Sequence, residues 1–319
     1  MEGYFNTKNS KFAQQSLPAC RPMLTVPRMM IVLGIFAIIS FVLGPLLLVT
    51  NKRLPYYEER YDNICEIGSI CNVTFHIDKK IKGELRIKYK LTNFHQNHNQ
   101  FVSSRSISQL KGEYVDFAGM LNCKPLRSIN DSTSKENWIL PCGLSAWSVF
   151  NDTFTILSAN PGFKETGITS SSDVDSFYKP LSSEYTTGYK WLENNSLFPG
   201  AQTNEHFIEW MRAGATSTIQ KNYAICNDCE LDKGDFTIQI TNNYPQSFFE
   251  GKKYLILEKN SFTGSKSLFL GVLFIVLAII CTIFILILIL IKVIRPRKLG
   301  DQSMIAYIIE QNKIAAISK

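Results

Sequence analysis

MMIVLGIFAIISFVLGPLLLVT, residues 29–50, runs for 22 residues without an ionisable side chain. A helix rising about 1.5 Å per residue needs about 20 residues to cross a hydrocarbon core of about 30 Å. The run therefore reads as a transmembrane helix. A core helix of a soluble protein would carry a polar stripe at helical period, and none is present. A second run, LFLGVLFIVLAIICTIFILILILI at 268–291, is equally free of charge. A cleaved signal peptide has an apolar region of roughly 7–15 residues followed by a small-residue cleavage site. The first run is longer, starts after residue 28 and continues into NKRLPYYEER, so it reads as an anchor that stays in place. Five segments result: a tail at 1–28, a span at 29–50, a domain at 51–267, a second span at 268–291 and a basic tail at 292–319.

Charge gives these segments an orientation. The first tail carries Lys8, Lys11, Arg21 and Arg28 against Glu2. The last carries Lys292, Arg295, Arg297, Lys298, Lys313 and Lys319 against Asp301 and Glu310. The middle holds 24 basic and 24 acidic residues, so the whole net charge of +7 lies in the tails. Excess Lys and Arg beside a span favours the cytoplasmic side, which puts both termini in the cytosol. Lys52 and Arg53 argue weakly the other way. The basic composition is thus a matter of membrane topology, and no nucleic-acid partner is implied.

Residues 51–267 then face the lumen or the exterior. Four N-glycosylation sequons begin at Asn72, Asn130, Asn151 and Asn194, all between the spans. Six of the eight cysteines lie there too, at Cys65, Cys71, Cys123, Cys142, Cys226 and Cys229, an even number in an oxidising compartment. Cys20 and Cys281 fall outside it and are expected to stay reduced. The local patterns are mostly those of strands. Leu85, Ile87, Tyr89 and Leu91 alternate with Arg86, Lys88 and Lys90, as in a half-buried strand. CNVTFHID, WSVFNDTFTIL, DFTIQIT and KKYLILE add further candidates. Residues 158–203 read as long loop, and NEHFIEWMRAGATSTIQKNY as a helix with Phe207, Trp210, Met211, Gly214 and Ala215 on one face. The expected fold is a membrane protein with two transmembrane helices and a mainly β, antiparallel sandwich-like ectodomain with some helix.

Six cysteines allow 15 pairings. Short separations favour Cys65–Cys71, Cys123–Cys142 and Cys226–Cys229. Closing the loop from Cys123 to Cys142 would stabilise the fold by about 3 kcal/mol on the chain-entropy account. Cys226-Asn-Asp-Cys229 has two alternatives, a redox pair and half a zinc site. No second CxxC or HxxxH supplies the other zinc ligands, and no βαβ pattern surrounds it. A structural pair is the preferred reading.

PCGLSAWSVFNDTF (141–154) bears a superficial likeness to the surround of a cysteine-protease nucleophile. A thiol nucleophile needs a base, and His76, His95, His98 and His206 are the chain's only histidines, none in a catalytic context. With Cys123 nearby as a partner and a glycan acceptor at Asn151, the stretch reads as structural. No catalytic residue, metal site or cofactor is expected.

Five blocks, in order, resemble one family. KFAQQSLPACRPMLTVPRMM precedes the first span. YKLTNFHQNHNQFVSSRSISQLKG (89–112) is similar to a Y-x-L-x-N-F-x-Q-N-H signature. PCGLSAWSVFNDTF, EHFIEWMRAGA and NNYPQSFFEGKKYLILEKNSFTGSKSLFLG follow. Together they resemble the ligand-effect-modulator family, also called the cell division control protein 50 family, from Lys11 to about Gly271. The resemblance implies a non-catalytic subunit of type IV P-type ATPases, the phospholipid flippases. Such a subunit has two spans and a glycosylated, disulfide-bonded ectodomain. It would form a heterodimer with the catalytic subunit, permit exit from the endoplasmic reticulum and support lipid flipping among membrane lipids. Implied locations are the endoplasmic reticulum, Golgi or endosomal membranes and the plasma membrane. Many members carry four clustered cysteines at the ectodomain start, where this chain has Cys65 and Cys71 alone, and Cys226–Cys229 also departs from the pattern.

The residues bear on that role. Neither span holds a charge, the usual mark of an ion or headgroup path. Gly34, Gly44 and Pro45 would admit a close helix contact or a kink. FHQNHNQF is either an interaction surface or a polar loop with an aromatic anchor. The competing reading is a two-span ligand-gated channel subunit, although the second span offers only Gly271, Cys281 and Thr282 as small or polar residues. An ectoenzyme would need a nucleophile–base pair or a metal cluster.

Overall fold

The computed structural model describes residues 25–158, 161–294, 296 and 309–310. Cys20 and nearly all of both tails lie outside the described residues. The chain divides into two bodies, one holding the two long helices and the other spanning residues 53–267.

The helical body is built by the apolar runs. Helix α1 covers Val26–Lys52 and contains both Gly44 and Pro45. In a bilayer every backbone polar group must be satisfied within the chain, and a helix does this for such a run.

In the second body, β1 (Tyr56–Arg60), β2 (Ile70–Ile77) and β3 (Ile81–Leu91) come first. Short helices follow at α2 (Asn99–Ser103), α3 (Ile107–Leu110) and α4 (Leu144–Trp147), then strand β4 (Thr153–Ile156) and helix α5 (Glu205–Met211). Strands β5 (Ile219–Leu231), β6 (Gly234–Thr241) and β7 (Lys253–Lys259) complete it, and α6 (Phe269–Ile294) closes the chain in the helical body. All strand pairings are antiparallel, giving a four-stranded sheet β1-β7-β3-β5 and a three-stranded sheet β2-β6-β4. The mainly antiparallel fold expected from the sequence is the fold observed.

One hydrophobic core takes the inward residues of both sheets: Val73, Phe75 and Ile77 from β2, Leu85, Ile87 and Leu91 from β3, Phe236, Ile238 and Ile240 from β6, Leu255 and Leu257 from β7. Each such side chain contributes about 1.5–3 kcal/mol relative to exposure. The other face of β3 is less open than alternation suggests. Arg86 pairs with Glu84, Lys90 with Glu58, and Lys88 with Glu258, the last pair almost fully buried.

Two elements depart from the sequence reading. The helix expected to run through residues 204–223 stops at Met211, and the chain enters β5 at Ile219. Asn204 starts α5 by accepting the His206 amide on its side chain, with Glu205 in the first turn. At the far end, Lys221 of β5 donates to the carbonyls of Glu209 and Arg212. Arg105 donates to Met211 and Gln96 to Trp210. The last carbonyls of α5 are therefore satisfied by side chains from other elements, and the helix ends there. Strand β1, YYEER, had no apolar alternation to mark it.

In the helical body, α1 and α6 run antiparallel. Leu48 meets Gly271, and Gly44 meets Ile275. A Cβ added to Gly44 would lie 2.7 Å from Ile275 Cγ1 and 3.2 Å from the Gly271 carbonyl oxygen. One added to Gly271 would lie 2.7 Å from Leu48 Cδ2 and 3.2 Å from the Gly44 carbonyl oxygen. Ser40 on α1, with Ala278 and Cys281 on α6, is also buried. Lipid tails are as apolar as these side chains, so such pairs associate through close backbone approach at small residues. Beyond its own helix backbone, Gly34 has no atom of the described residues within 4 Å of where its Cβ would sit. The two glycines grouped together in the sequence thus have different surroundings.

Candidate functional site

The conspicuous sequence blocks converge inside the second body. In PCGLSAWSVFNDTF, Cys142 is 1 % exposed and bonded to Cys123, with a Cα–Cα distance of 5.6 Å. Its amide donates to Gln109 Oε1 at 3.0 Å. Gly143 adopts a φ of +106°, and an added Cβ would overlap the Ser104 carbonyl. Only glycine fits that approach. Ser104 Oγ donates to the carbonyl of Lys124 at 2.9 Å and accepts the Leu144 amide at 2.9 Å. Ser145 Oγ donates to the Phe101 carbonyl, while Trp210 Nε1 donates to the Ser145 carbonyl at 3.0 Å.

FHQNHNQF belongs to the same lock. Gln96 is fully buried, donating to Trp210 and accepting the Gly214 amide at 2.9 Å. Phe94 packs edge-on against Trp210, Phe101 and Phe249. Of the two readings of this loop, the aromatic anchor describes Phe94 and Gln96. Asn97, Asn99 and Gln100 remain exposed around it.

A second centre joins residues far apart in the chain. Lys253 on β7 and Asp152 just before β4 both have fully buried side chains and form an ion pair at 2.8 Å. Lys253 Nζ also donates to the Tyr244 carbonyl at 2.8 Å and to Asn242 Oδ1, so all three of its protons are placed. Asp152 accepts from the Tyr61 hydroxyl at 2.7 Å and from the amides of Asn243 and Tyr244 at 2.6 and 2.5 Å. Burial pushes the Lys253 ammonium down, against the pull of Asp152. Burial, with Asp152 adding to it, holds the Tyr61 phenol well above its ordinary value. Lys221 of β5, whose ammonium donates to the last carbonyls of α5, is likewise lowered by burial, to about 8.

The remaining cysteines have equally local partners. Cys65 and Cys71 are bonded at a Cα–Cα distance of 5.8 Å. Cys226 and Cys229 are bonded at 5.7 Å although both lie in β5. Three residues of extended strand cover about 10 Å. The chain shortens because β5 bulges opposite Gly83–Leu85, which brings the two thiols to one side. Cys281 is a buried free thiol. Non-reducing peptide mapping should return the Cys123–Cys142 and Cys65–Cys71 crosslinked peptides. Alkylation of Cys142 without prior reduction would overturn this pairing.

Two of the histidines pair with carboxylates. His206 Nε2 lies 3.0 Å from Glu165 Oε2 beside the Tyr223 ring, and His76 Nδ1 lies 2.7 Å from Asp235. Among the described residues no three His, Cys, Asp or Glu side chains gather as metal ligands. Of the sequon asparagines, Asn72, Asn130 and Asn194 are exposed and Asn151 is half-buried. What the geometry supplies is a cross-tied, β-rich domain and a close-packed pair of apolar helices.

The chain is similar to known proteins over most of its length. The profile of the LEM3 (ligand-effect modulator 3) family / CDC50 family matches residues 9–298. ALA-interacting subunit 3 of Arabidopsis thaliana is 32% identical over 325 residues, covering 94% of this chain and 90% of that protein. Cell cycle control protein 50A of Bos taurus is 30% identical over 313 residues, covering 84% of this chain and 83% of that one. The phospholipid-transporting ATPase accessory subunit CRF1 of Saccharomyces cerevisiae is 34% identical over 263 residues, covering 76% and 64%.

Proposed function

Because the chain belongs to the ligand-effect modulator 3/CDC50 family, we propose that it is the accessory, non-catalytic subunit of a phospholipid-transporting type IV P-type ATPase. The observation that carries this is the family match across residues 9–298, together with relatives named as accessory subunits of phospholipid-transporting ATPases. The partner is the ATPase catalytic subunit, in a heterodimer set among membrane lipids. ATP chemistry and the lipid path belong to that partner. This chain contributes two apolar helices and a cross-tied ectodomain, through which it supports assembly and exit from the endoplasmic reticulum.

The protein is a membrane protein with two apolar helices long enough to span. The cationic tails support an orientation with both termini cytosolic and residues 51–267 lumenal or extracellular. The membranes expected are those of the endoplasmic reticulum, the Golgi and endosomes, or the cell surface. The competing channel reading has no support. The relatives are named accessory subunits, and Thr282 returns its hydroxyl to its own helix, donating to the Ala278 carbonyl at 2.8 Å.

Co-purification and fluorescent-phospholipid uptake test the assignment in cells with and without the chain. A P-type ATPase should purify with it at 1:1. Removing the chain should hold that ATPase in the endoplasmic reticulum and abolish its share of lipid uptake. A chain that purifies alone, and whose loss changes the uptake of no common phospholipid, would sink the proposal.

A further inference from the structure

A cleft of about 280 Å³ opens beside β4, and Asn151, the acceptor of the third sequon, lines it. Its Oδ1 is buried without a hydrogen-bond partner. Asn151, Thr153 and Asp152, the last paired with buried Lys253, all contribute to the lining of the cleft. The facing wall is the turn with Ser196, Leu197 and Pro199, and the rest includes Tyr223 and the Glu165–His206 pair.

We propose that the first sugar of an N-linked glycan on Asn151 occupies this cleft and is part of the folded ectodomain. The volume lies near the lower end of small-ligand cavities, roughly 300 Å³, which suits one pyranose ring. The wall is mixed in the way a sugar is mixed. Tyr223 and Leu197 offer apolar surface to the C–H face of a ring, while Glu165, His206 and Ser196 offer partners to its hydroxyl and acetamido groups.

Attachment precedes folding, so half-burial does not obstruct it. Asn151 Nδ2 loses a proton and bonds to the sugar C1, and the C1–O bond to a polyprenyl pyrophosphate carrier breaks, releasing that carrier. Glycans on the exposed Asn72, Asn130 and Asn194 would stand in solvent. The inference rests on the lumenal placement of residues 51–267.

The test is amidase release of N-glycans in ¹⁸O-labelled water, which marks each freed asparagine. It is applied to the full chain purified from eukaryotic cells, native and denatured, with and without its ATPase. Release at Asn151 should be at least tenfold slower in the native protein than in the denatured one, with or without the partner. Exposed occupied sites should show no such ratio. Leu197→Ser, at an exposed position on the cleft wall, should speed native release at Asn151 relative to the unsubstituted chain. Asn151 unoccupied while other sequons are occupied, or a ratio below ten, would overturn the cleft proposal alone. All four sequons unoccupied would overturn the lumenal placement as well.

Discussion

Lys253→Met leaves Asp152 buried without its countercharge, and the folded domain should lose about 3–5 kcal/mol, the usual result of removing one partner of a buried pair. The effect is large because the lysine has no route to water: its side chain is fully buried and its three protons meet Asp152, Asn242 and the Tyr244 carbonyl. Asp152→Asn should be milder, since the amide keeps an oxygen for the Tyr61 hydroxyl or the 243–244 amides. Lys253→Met with Asp152→Leu should recover part of the loss, because neither charge is then buried alone. A coupling of about 0.5–3 kcal/mol is the range for residues in contact. Thermal melting of the purified full chain, with retention in the endoplasmic reticulum as the cellular readout, checks this. Additive single and double variants would mean that the pair is not the unit proposed.

That centre also shows where the sequence is legible. The two long helices follow from an absence of charge over more than twenty residues, which local composition records directly. Strand β3 follows from alternation at Leu85, Ile87, Tyr89 and Leu91, all buried as expected. Lys253 gives no such signal. In KKYLILE it sits beside Lys252 and looks the same, yet Lys252 is exposed and Lys253 is not. Which of the two turns inward is decided by the register of β7 and by Asp152, 101 residues away in sequence. Long-range register leaves no mark on local composition.

The end of α5 was hidden for a related reason. Gly214 and Ala215 continue the helical spacing set by Phe207, Trp210 and Met211, but the carbonyls near the end of the helix bond to Gln96, Arg105 and Lys221. Tertiary hydrogen bonds end the helix where periodicity would extend it. Hydrogen bonds also tie FHQNHNQF, PCGLSAW and EHFIEWM together, from Gln96 to Trp210, from Trp210 to Ser145 and from Ser145 to Phe101. Each supplies a group that another needs. The paired, short-range cysteines were legible because their partners are close in sequence. The cleft at Asn151 was not, since it is formed by residues from 89 to 223.

Gly44→Leu or Gly271→Leu should each separate the two spans. A side chain at Gly44 starts 2.7 Å from Ile275, and behind it lies the Gly271 carbonyl at 3.2 Å, which cannot rotate away. Overpacking of this kind costs typically 1–3 kcal/mol where neighbours can shift, and more where backbone must move. Within lipid there is no hydrophobic gain to offset it, because the helices lose packing while their apolar surface stays in an apolar solvent. Either variant should lower the melting temperature of the purified full chain and reduce the amount leaving the endoplasmic reticulum. Gly34→Leu is the contrasting case, since among the described residues nothing beyond its own helix backbone lies within 4 Å of its added Cβ. It should leave the melting temperature of the chain unchanged, and any loss of ATPase co-purification it causes then reports on the partner rather than on the span pair. A charge at either glycine adds roughly 2.5–3.5 kcal/mol of insertion penalty and would blur that distinction, so leucine is the sharper probe. Equal melting temperatures and yields for Gly44→Leu, Gly271→Leu and the unsubstituted chain would show that the helix contact is not what holds the spans together.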